Sequence, residues 1–424
     1  MAGTETTHTG LKDLLRYVAM RSPFYQKLFE KNKILIQDIN TPEDLKNIPF
    51  TEKEDLQNFT NEFICVPKHK LIDYVTTSGT TGKPVTLALT DADLERLALN
   101  EYNSFKTAGI GEEDIIQLMT TVDRRFMAGL AYFLGARKLG AGIVRVGNGL
   151  PELQWDTISN IEPTVIICVP SFVLHLIAYA EANNIDYKKS SIKKIICIGE
   201  AIRNSDFTLN TLGKKITQKW DVSLYSTYAS SEMATAFTEC EAFRGGHLQS
   251  DLLISEIIDE NGNPAKAGEA GELVITTLGV EGMPLIRFKT GDMCIAHTEI
   301  CSCGRESLRL SPVLGRKKQM IKYKGTSLYP NAIYDILETI DQVKNYQVEV
   351  STNSNGTDEI QIHLGVNEKT KIKEEDILNT FRAKLRVAPR LNFLSPEEVN
   401  QLLQPKNSRK PIKFIDRREH NTLL

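Results

Sequence analysis

Short apolar runs that alternate with helical patterns are the feature that most constrains the fold of this chain. The strand-like runs occupy residues 114–119, 142–146, 164–169 and 195–199. Helical spacing fills the segments 129–139 and 171–183 between them. Buried strands that are joined by helices form parallel sheets with helices on both faces. The sequence therefore predicts an α/β fold whose main domain is a helix-covered β-sheet.

The segments before and after this region have different textures. Residues 11–60 carry proline and capping signals of short connected helices, and Thr51-x-x-Glu54 has the spacing of a capping box. After residue 250, strands that alternate with Gly/Asn turns predict a small antiparallel unit. The last hundred residues have an α+β pattern. Because 424 residues exceed what one core organises, we predict an N-terminal domain at 1–316 and a small C-terminal domain at 317–424.

Net charge and hydropathy limit the classes of partner. The net charge is −3 and charged residues make up 25% of the chain, which gives no reason to expect nucleic acid as a partner. The polar N-terminus and the lack of a long apolar run predict neither a signal peptide nor a membrane segment. A cytoplasmic protein with no membrane partner is therefore expected.

A loop rich in hydroxyl groups and glycine, residues 76–84, has the composition of a phosphate-binding element. Its central residues are Ser78, Gly79, Thr80, Thr81, Gly82 and Lys83. The spacing differs from the common P-loop, because the two glycines lie three residues apart and a proline follows the lysine. A plain surface loop between strands remains the alternative at this point.

Later motifs follow this loop in a fixed order. They are Gly199-Glu200-Ala201, Tyr228-Ala229-Ser230-Ser231-Glu232, Thr290-Gly291-Asp292 and Gly315-Arg316. The ordered set resembles the adenylate-forming superfamily of acyl-CoA synthetases, luciferases and nonribosomal adenylation domains. The segments Ser22-Pro-Phe-Tyr25 and Gly325-x-x-x-Tyr329-Pro330 make the phenylacetate-CoA ligase family the most similar branch. The resemblance covers nearly the whole chain.

This resemblance implies an acid-thiol ligase that uses ATP, Mg²⁺ and coenzyme A. Such an enzyme forms an acyl adenylate and then a thioester, with release of pyrophosphate and AMP, here on phenylacetate or a related aromatic acid. Two alternatives stay open: transfer of the acyl group to a carrier protein or an amine, and a catalytically retired sensor of nucleotide or acyl-CoA. The resemblance also leaves a homodimer open.

The resemblance assigns roles to the nucleotide-site residues. Residues 78–83 would surround the β- and γ-phosphates, Glu232 would hold Mg²⁺, and Asp292 would accept the ribose hydroxyls. Tyr228 would stack near the adenine, and Arg316 would add a ribose or phosphate contact. The remaining nucleotide-site candidates are Gly199, Glu200, Ala201 and Ser231.

The C-terminal residues would complete the reaction. Lys410 would bridge the substrate carboxylate and the α-phosphate. Because Arg409 stands where the family has glycine, Lys413 remains the second candidate. The last domain would rotate just after Arg316, near Lys318, and Gly325 would allow the pantetheine arm to pass.

The resemblance also implies an acid pocket, because a glycine- and aromatic-rich stretch that begins at residue 126 is similar to the family's pocket wall. Phe126 and Tyr132 would offer ring faces, whereas Ala128 and Gly129 would leave room for an aromatic acid. Arg124 and Arg125 precede this stretch, at positions where the family that the chain resembles has neutral residues. An inward arginine would favour a second anionic or polar group on the acid, whereas two solvent-facing arginines would favour an ordinary arylacetate. A plain buried helix is the alternative to a pocket wall.

A second constellation of residues has the chemistry of a zinc site. Cys240-x6-His247 and Cys301-x-Cys303 supply three thiols and one imidazole, the soft donor set of a structural zinc. Simple burial of Cys240 and His247 is the alternative. The other cysteines that lie in apolar strand-like runs, Cys168, Cys197 and Cys294, are predicted to be core residues.

Overall fold

The computed structural model describes residues 2–77, 84–323, 326–353, 357–367, 372–404 and 412–418. The chain divides into two compact units, Met1–Val313 and Leu314–Leu424. The domain boundary expected between residues 316 and 317 stays a prediction. Within the described ranges, no helix combines the length and the apolar character that a membrane crossing requires.

The first unit contains eight α-helices within its described residues. They are α1 Ala2–Arg21, α2 Pro23–Lys31, α3 Lys53–Asn58, α4 Asp91–Thr107, α5 Met127–Leu139, α6 Pro151–Ile161, α7 Pro170–Ala182 and α8 Thr211–Lys219. Its strands are β1 Asp73–Thr76, β2 Thr86–Leu89, β3 Ile115–Leu118, β4 Gly142–Arg145, β5 Val165–Cys168, β6 Lys194–Cys197, β7 Ser223–Ser230, β8 Thr235–Glu239, β9 Gly246–His247, β10 Leu253–Ile258, β11 Ala270–Thr277, β12 Phe288–His297 and β13 Arg309–Leu310.

The large sheet of this unit changes from parallel to antiparallel pairing at β7. On one side the order is β4-β3-β5-β6-β7, with every pair parallel. On the other side β8, β9, β13, β12, β11 and β10 follow, with every pair antiparallel. The first half of β7 pairs with β6 and its second half, residues 227–230, pairs with β8. The predicted α/β fold is confirmed, and the antiparallel strands extend the same sheet.

Helices cover the inner parallel strands β3, β5 and β6, which are mostly buried, whereas the edge strand β4 is partly exposed. All four residues of β5 are fully buried, as expected of a parallel strand with helices on both faces. Trp155 of α6 and Trp220 after α8 pack together with ring centroids 5.6 Å apart. Cys168, Cys197 and Cys294 are fully buried in the strands, in agreement with their predicted core positions.

The start of α3 corrects one detail of the predicted capping. Glu52 is the N-cap residue, and its backbone N–H donates to Asp55 Oδ2 at 2.9 Å. Thr51, predicted as the cap, is instead buried and donates from Oγ1 to the carbonyl of Ile286 at 2.8 Å. Tertiary pairing with the start of β12 therefore takes the hydroxyl that the local pattern assigned to the helix.

The second unit is an α+β structure. Its elements are β14 Gly315–Arg316, β15 Ile321–Tyr323, β16 Thr326–Leu328, α9 Pro330–Leu337, β17 Val343–Thr352, β18 Asp358–Val366, α10 Glu374–Leu385, β19 Arg390–Leu394, α11 Pro396–Leu403 and β20 Phe414–Asp416. Four strands form a sheet in the order β19-β18-β17-β20, in which only the central pair is antiparallel among the described strands. Apolar residues of α9 and α10 pack with this sheet in one core.

Candidate active site

Glu232 lies in the turn that joins β7 to β8, where the sheet changes from parallel to antiparallel pairing. It is partly buried and lines a small cavity together with Ser231. The other lining residues are Leu87, Ala88, Leu89, Met127, Ala234, Val280 and Met283. Among the described residues, no group donates a hydrogen bond to the Glu232 carboxylate. The Glu232 carboxylate therefore lies beside apolar residues and is available to a ligand that enters this cavity.

Tyr228 and Asp292 come from motifs 64 residues apart and meet in one hydrogen bond. The Tyr228 hydroxyl donates to Asp292 Oδ2 at 2.7 Å. Burial, and after it the Asp292 carboxylate, raises the pKa of Tyr228 well above its ordinary value, so the phenol keeps its proton. The Tyr228 ring stacks on Phe237, with centroids 6.1 Å apart. Asp292 is thus held with its carboxylate oriented by a neutral donor.

A second cavity lies beside this pair. It is lined by Ser226, Tyr228, Phe237, Glu239, Gly245, Gly246, Leu310, Ser311 and Pro312. An added Cβ at Gly246 would lie 2.5 Å from the carbonyl oxygen of Phe237, so this wall needs glycine for close packing of β9 on β8. The predicted adenine partner Tyr228 therefore lines a concave region formed by residues of four strands, β7, β8, β9 and β13.

Gly199, Glu200 and Ala201 follow β6, as the sequence predicted, and Glu200 has an identifiable structural partner. Its carboxylate accepts hydrogen bonds from the backbone N–H and the hydroxyl of Ser171, at 2.9 and 3.0 Å. Ser171 lies in the first turn of α7, where an anion satisfies free backbone donors. Gly199 has φ +75°, a conformation that favours glycine. A nucleotide contact of these three residues stays a prediction.

The candidates Ser78, Gly79, Thr80, Thr81, Gly82 and Lys83 lie outside the described residues. The chain on either side of them is fixed by paired hydrogen bonds: Thr77 N–H donates to the Val85 carbonyl, and Val85 N–H donates to Thr77 Oγ1, both at 3.0 Å. The hairpin of β1 and β2 continues this pairing, with Thr76 opposite Thr86. The two ends of the phosphate-loop segment are therefore adjacent.

The predicted acid-pocket residues lie at the start of α5, in three different environments. Phe126 is the partly buried N-cap residue. Ala128 packs against a hydrophobic cluster, and Tyr132 is buried in that cluster with its ring 6.1 Å from Phe105. Met127, which sequence reasoning did not select, is the residue of this stretch that lines the Glu232 cavity.

Gly129 is required by packing. An added Cβ would lie 2.0 Å from the carbonyl oxygen of Thr121 and 2.8 Å from Val122 Cα. The missing side chain therefore lets α5 approach the 121–122 backbone. A further contribution of Gly129 to substrate space stays a prediction.

Arg124 and Arg125 are exposed, and both have φ +59°. Arg124 Nε lies 3.8 Å from Asp123 Oδ1 in an exposed ion pair. The Arg125 carbonyl accepts from Thr76 N–H at 3.0 Å, which ties this segment to the end of β1. Of the two alternatives left open by the sequence, the structure favours the one in which both arginines face solvent.

Cys240, His247, Cys301 and Cys303 come together, with ligand atoms all within 4.8 Å of one another. His247 Nε2 lies 3.4 Å from Cys240 Sγ and 3.6 Å from Cys303 Sγ, and the Cys240 and Cys301 sulfurs are 3.7 Å apart. His247 Nδ1 lies 2.9 Å from Ser307 Oγ, and this hydrogen bond would fix the orientation of the imidazole ring. The donor set fits a tetrahedral ion with soft ligands.

The C-terminal candidates divide into described and undescribed residues. Lys410 and Gly325 lie outside the described ranges. Lys413 Nζ lies 5.2 Å from the centre of the Tyr346 ring and 3.9 Å from Glu338 Oε1, within the second unit. Arg316 is partly buried in β14, and an added Cβ at Gly315 would lie 2.5 Å from the Tyr329 ring. Tyr329 thus explains the glycine of the Gly315-Arg316 motif by close packing.

Comparison with protein families assigns both units. The model of the AMP-binding enzyme family matches residues 19–282, more than half of the chain. The chain belongs to the AMP-binding enzyme family. The model of the AMP-binding enzyme C-terminal domain matches residues 325–418.

Relatives of this AMP-binding enzyme place it more narrowly. A phenylacetate-coenzyme A ligase of Thermus thermophilus is 31% identical over 366 residues, which cover 84% of this chain and 80% of the relative. One of Escherichia coli K12 is 26% identical over 389 residues, which cover 90% of this chain and 85% of the relative. The predicted membership in the phenylacetate-CoA ligase family is thus confirmed.

Solved structures agree with the fold of this AMP-binding enzyme. A 2-hydroxyisobutyryl-CoA ligase in complex with 2-HIB-AMP has a TM-score of 0.84 at 20% identity, over 97% of this chain and 89% of that chain. An anthranilate CoA ligase in complex with anthranoyl-AMP has a TM-score of 0.58 at 16% identity, over 82% of this chain and 67% of that chain.

Two buried arginines beside the cavities were missed by sequence reasoning. Arg203 Nε donates to both carboxylate oxygens of Glu239, at 2.9 and 3.0 Å, next to the Tyr228 cavity. Arg96 binds backbone carbonyls around the Glu232 turn. A lone arginine in a helix has no motif, and the partners of Arg96 lie 138 to 182 residues away in sequence. For Arg96, the sequence offered one signal: a charged residue on the face of α4 that its apolar neighbours predict to be buried.

Proposed function

We propose that this protein is an ATP-dependent, AMP-forming acid-CoA ligase that acts on phenylacetate or a related aromatic acid. The observation that carries the proposal is the agreement between the 31% identical phenylacetate-coenzyme A ligase and the site geometry. Tyr228 and Asp292, from separate motifs, form one hydrogen-bonded pair. Glu232 follows Tyr228 by four residues and lines the neighbouring cavity.

In the first half-reaction the substrate carboxylate attacks the α-phosphorus of ATP and pyrophosphate leaves. Both reactants are anions, so positive charge must be placed around the phosphates. Residues 78–83 and Lys410 would supply it. Asp292 would accept the ribose hydroxyls, with Tyr228 holding the carboxylate that accepts them. In the second half-reaction the thiol of coenzyme A attacks the acyl carbonyl, its proton is lost and AMP leaves.

Glu232 is the residue that would hold Mg²⁺. Its carboxylate is partly buried and lines a cavity, and Mg²⁺ prefers oxygen ligands that it shares with substrate phosphates. The ion would neutralise charge on the leaving pyrophosphate. Gly199, Glu200, Ala201, Ser231 and Arg316 complete the proposed nucleotide site, and Gly325 the path of coenzyme A.

A structural zinc at Cys240, His247, Cys301 and Cys303 is part of the same proposal. Three thiols and one imidazole within 4.8 Å of one another are a closed donor set, with no position kept for substrate. Ordinary burial remains the rival explanation, although Cys303 is not fully buried.

The acid pocket is assigned to the start of α5. Phe126, Ala128, Gly129 and Tyr132 stay the predicted pocket residues, and Met127 joins them because it lines the Glu232 cavity. Since Arg124 and Arg125 are exposed, an arylacetate without a second anionic group is the favoured acid. A cytoplasmic location and a homodimer are further proposals.

Pyrophosphate release with a panel of carboxylic acids tests this function. We expect phenylacetate or a close aromatic analogue to give the highest kcat/KM in the panel. Release with aliphatic acids alone would contradict the substrate class. AMP formation that depends on an amine or a carrier protein instead of coenzyme A would favour the alternative acceptor.

A further inference from the structure

Arg96 is a buried cation whose hydrogen bonds converge on the region of Glu232. It lies on α4 with 6% of its surface exposed. Nη1 donates to the Ala234 carbonyl at 2.6 Å, and Nη2 donates to Thr235 Oγ1 at 3.0 Å. Nε donates to the Leu278 carbonyl at 2.6 Å, and Nη2 also donates to the Leu252 carbonyl at 2.5 Å. One guanidinium thus joins three separate segments of the chain.

The turn that Arg96 holds is in an unfavourable backbone conformation. Ala234, two residues after Glu232, has φ +46°, a left-handed conformation that residues with a Cβ rarely adopt. Ala234 N–H donates to the Ser230 carbonyl at 3.2 Å, which closes the turn around Glu232. Such a conformation persists only where the surroundings enforce it. The short bond from Arg96 to the Ala234 carbonyl is one such constraint.

The same face of α4 also holds the 280–283 segment, two residues of which line the Glu232 cavity. Asp93, one turn before Arg96, accepts from the backbone N–H groups of Glu281 and Gly282 at 2.7 and 2.9 Å. Val280 and Met283, which flank these two residues, line the cavity with Glu232. Side chains three residues apart on a helix share a face. One helix face therefore holds two separate segments that line the cavity.

From this geometry we propose that Arg96 is a positioning residue for the magnesium-binding carboxylate of Glu232. Its planar guanidinium binds the Ala234 carbonyl and Thr235 Oγ1. These bonds fix the backbone of the turn, and the backbone sets the position of the Glu232 Cα. The inference rests on the proposed function, in which Glu232 holds Mg²⁺. A lysine at position 96 would keep the charge but could not reach the same acceptors with one rigid group.

Two readouts test this role: the Mg²⁺ dependence of pyrophosphate release, and the dissociation constant of Mn²⁺ for the enzyme–ATP complex, measured without turnover by electron paramagnetic resonance, which should change in the same direction. For Arg96→Lys we expect the Mg²⁺ concentration at half-maximal rate to rise about tenfold, as for other residues that orient a metal ligand. The rate at saturating Mg²⁺ should change less. Thr235→Val removes one acceptor of Arg96 and keeps a β-branched side chain, so it folds even if the lysine variant does not. Its half-saturation should rise about threefold, as expected for one lost hydrogen bond.

Two further variants separate the outcomes. Ile177→Ala removes a buried side chain from a different hydrophobic cluster and should lower stability without shifting the Mg²⁺ half-saturation. Glu232→Gln should shift it strongly. An unchanged half-saturation in Arg96→Lys or Thr235→Val, together with a shift in Glu232→Gln, would overturn the positioning role alone. No shift in Glu232→Gln would instead overturn the proposed magnesium ligand.

Discussion

At the scale of single residues, Asp292 is the proposed site residue whose carboxylate orientation the structure explains most clearly. Its side chain is 9% exposed and accepts the Tyr228 hydroxyl. A carboxylate that binds ribose accepts hydrogen bonds from two hydroxyl groups, one on each oxygen. Asparagine has only one acceptor oxygen, because its other terminal group is an NH₂ donor. We therefore expect Asp292→Asn to raise the KM for ATP about tenfold, the effect of losing one hydrogen bond to a charged group.

Steady-state kinetics with ATP varied at saturating acid would measure this change. Tyr228→Phe is the matched control, because it keeps the stacked ring and removes only the donor to Asp292. It should raise the KM for ATP less than Asp292→Asn does. A larger effect of Asp292→Asn on the KM for the acid would contradict the ribose assignment.

Glu101 is a buried residue whose titration affects stability. Burial raises its pKa to about 8, and Asn100 lowers it by donating to Oε1 at 3.0 Å. The pKa of Glu101 is higher in the folded state than in the unfolded state. At pH values between the two pKa values, the folded protein therefore keeps a proton that the unfolded chain has lost. Stability is then greatest below the unfolded pKa and falls as pH rises to about 8, with a slope of at most about 1.4 kcal/mol per pH unit.

Denaturant unfolding at several pH values would show this slope, and Glu101→Gln should flatten it. The exposed residue Glu95 offers a control, since Glu95→Gln makes the same chemical change at the surface of the same helix. Equal slopes in the wild type and in Glu101→Gln would contradict a neutral Glu101 at pH 7.

At the scale of elements, the proposed zinc site connects two strands and a loop. Cys240 follows β8, His247 ends β9, and Cys301 and Cys303 lie between β12 and β13. We expect purified protein to contain about one equivalent of zinc, as in closed four-ligand sites. Cys301→Ser should lower both the zinc content and the unfolding midpoint, because binding energy in such sites contributes to folding.

Metal analysis and thermal unfolding of the same samples would measure both effects. Cys65→Ala is the control, since Cys65 is also buried in the first unit and belongs to no cluster with the four ligands. Trace zinc in protein never exposed to a chelator, or zinc content unchanged by Cys301→Ser, would contradict the site.

The sequence predicted the elements well where periodicity is local. The helix predicted at 129–139 is α5, Met127–Leu139, and the run at 164–169 contains β5, Val165–Cys168. Local pattern could not show that Gly129 serves packing against Thr121, because that neighbour is fixed by tertiary contact. For the same reason Thr51 was misread as a cap.

At the scale of the whole molecule, the proposed mechanism uses residues of both units. It also assigns some residues to only one of the two half-reactions. Lys410 would act only in the first half-reaction. We expect Lys410→Ala to slow pyrophosphate release about 100-fold or more, the typical effect of removing a group that stabilises transition-state charge. Thioester formation from preformed acyl adenylate should be largely spared.

Single-turnover assays of each half-reaction would separate these effects. Lys413→Ala is the matched control, because Lys413 contacts Tyr346 and lies near Glu338 within the second unit. Pyrophosphate release at the wild-type rate in Lys410→Ala, or the larger loss in Lys413→Ala, would show that the catalytic lysine was misassigned.

The order of the motifs along the chain supported the family prediction more strongly than any single motif did. The Tyr228–Asp292 hydrogen bond joins two of these motifs, which lie 64 residues apart along the chain. Arg96 and Arg203 could not be found in this way, because their partners are backbone carbonyls and a glutamate that only the fold brings near.

AMP formation with phenylacetate, ATP and Mg²⁺, measured with and without coenzyme A, tests the central claim most directly. An acid-CoA ligase should form AMP in multiple turnovers only when both the acid and coenzyme A are present, with phenylacetyl-CoA in equal amount. The absence of AMP with every aromatic acid tried, or AMP formation that does not respond to coenzyme A, would contradict the account.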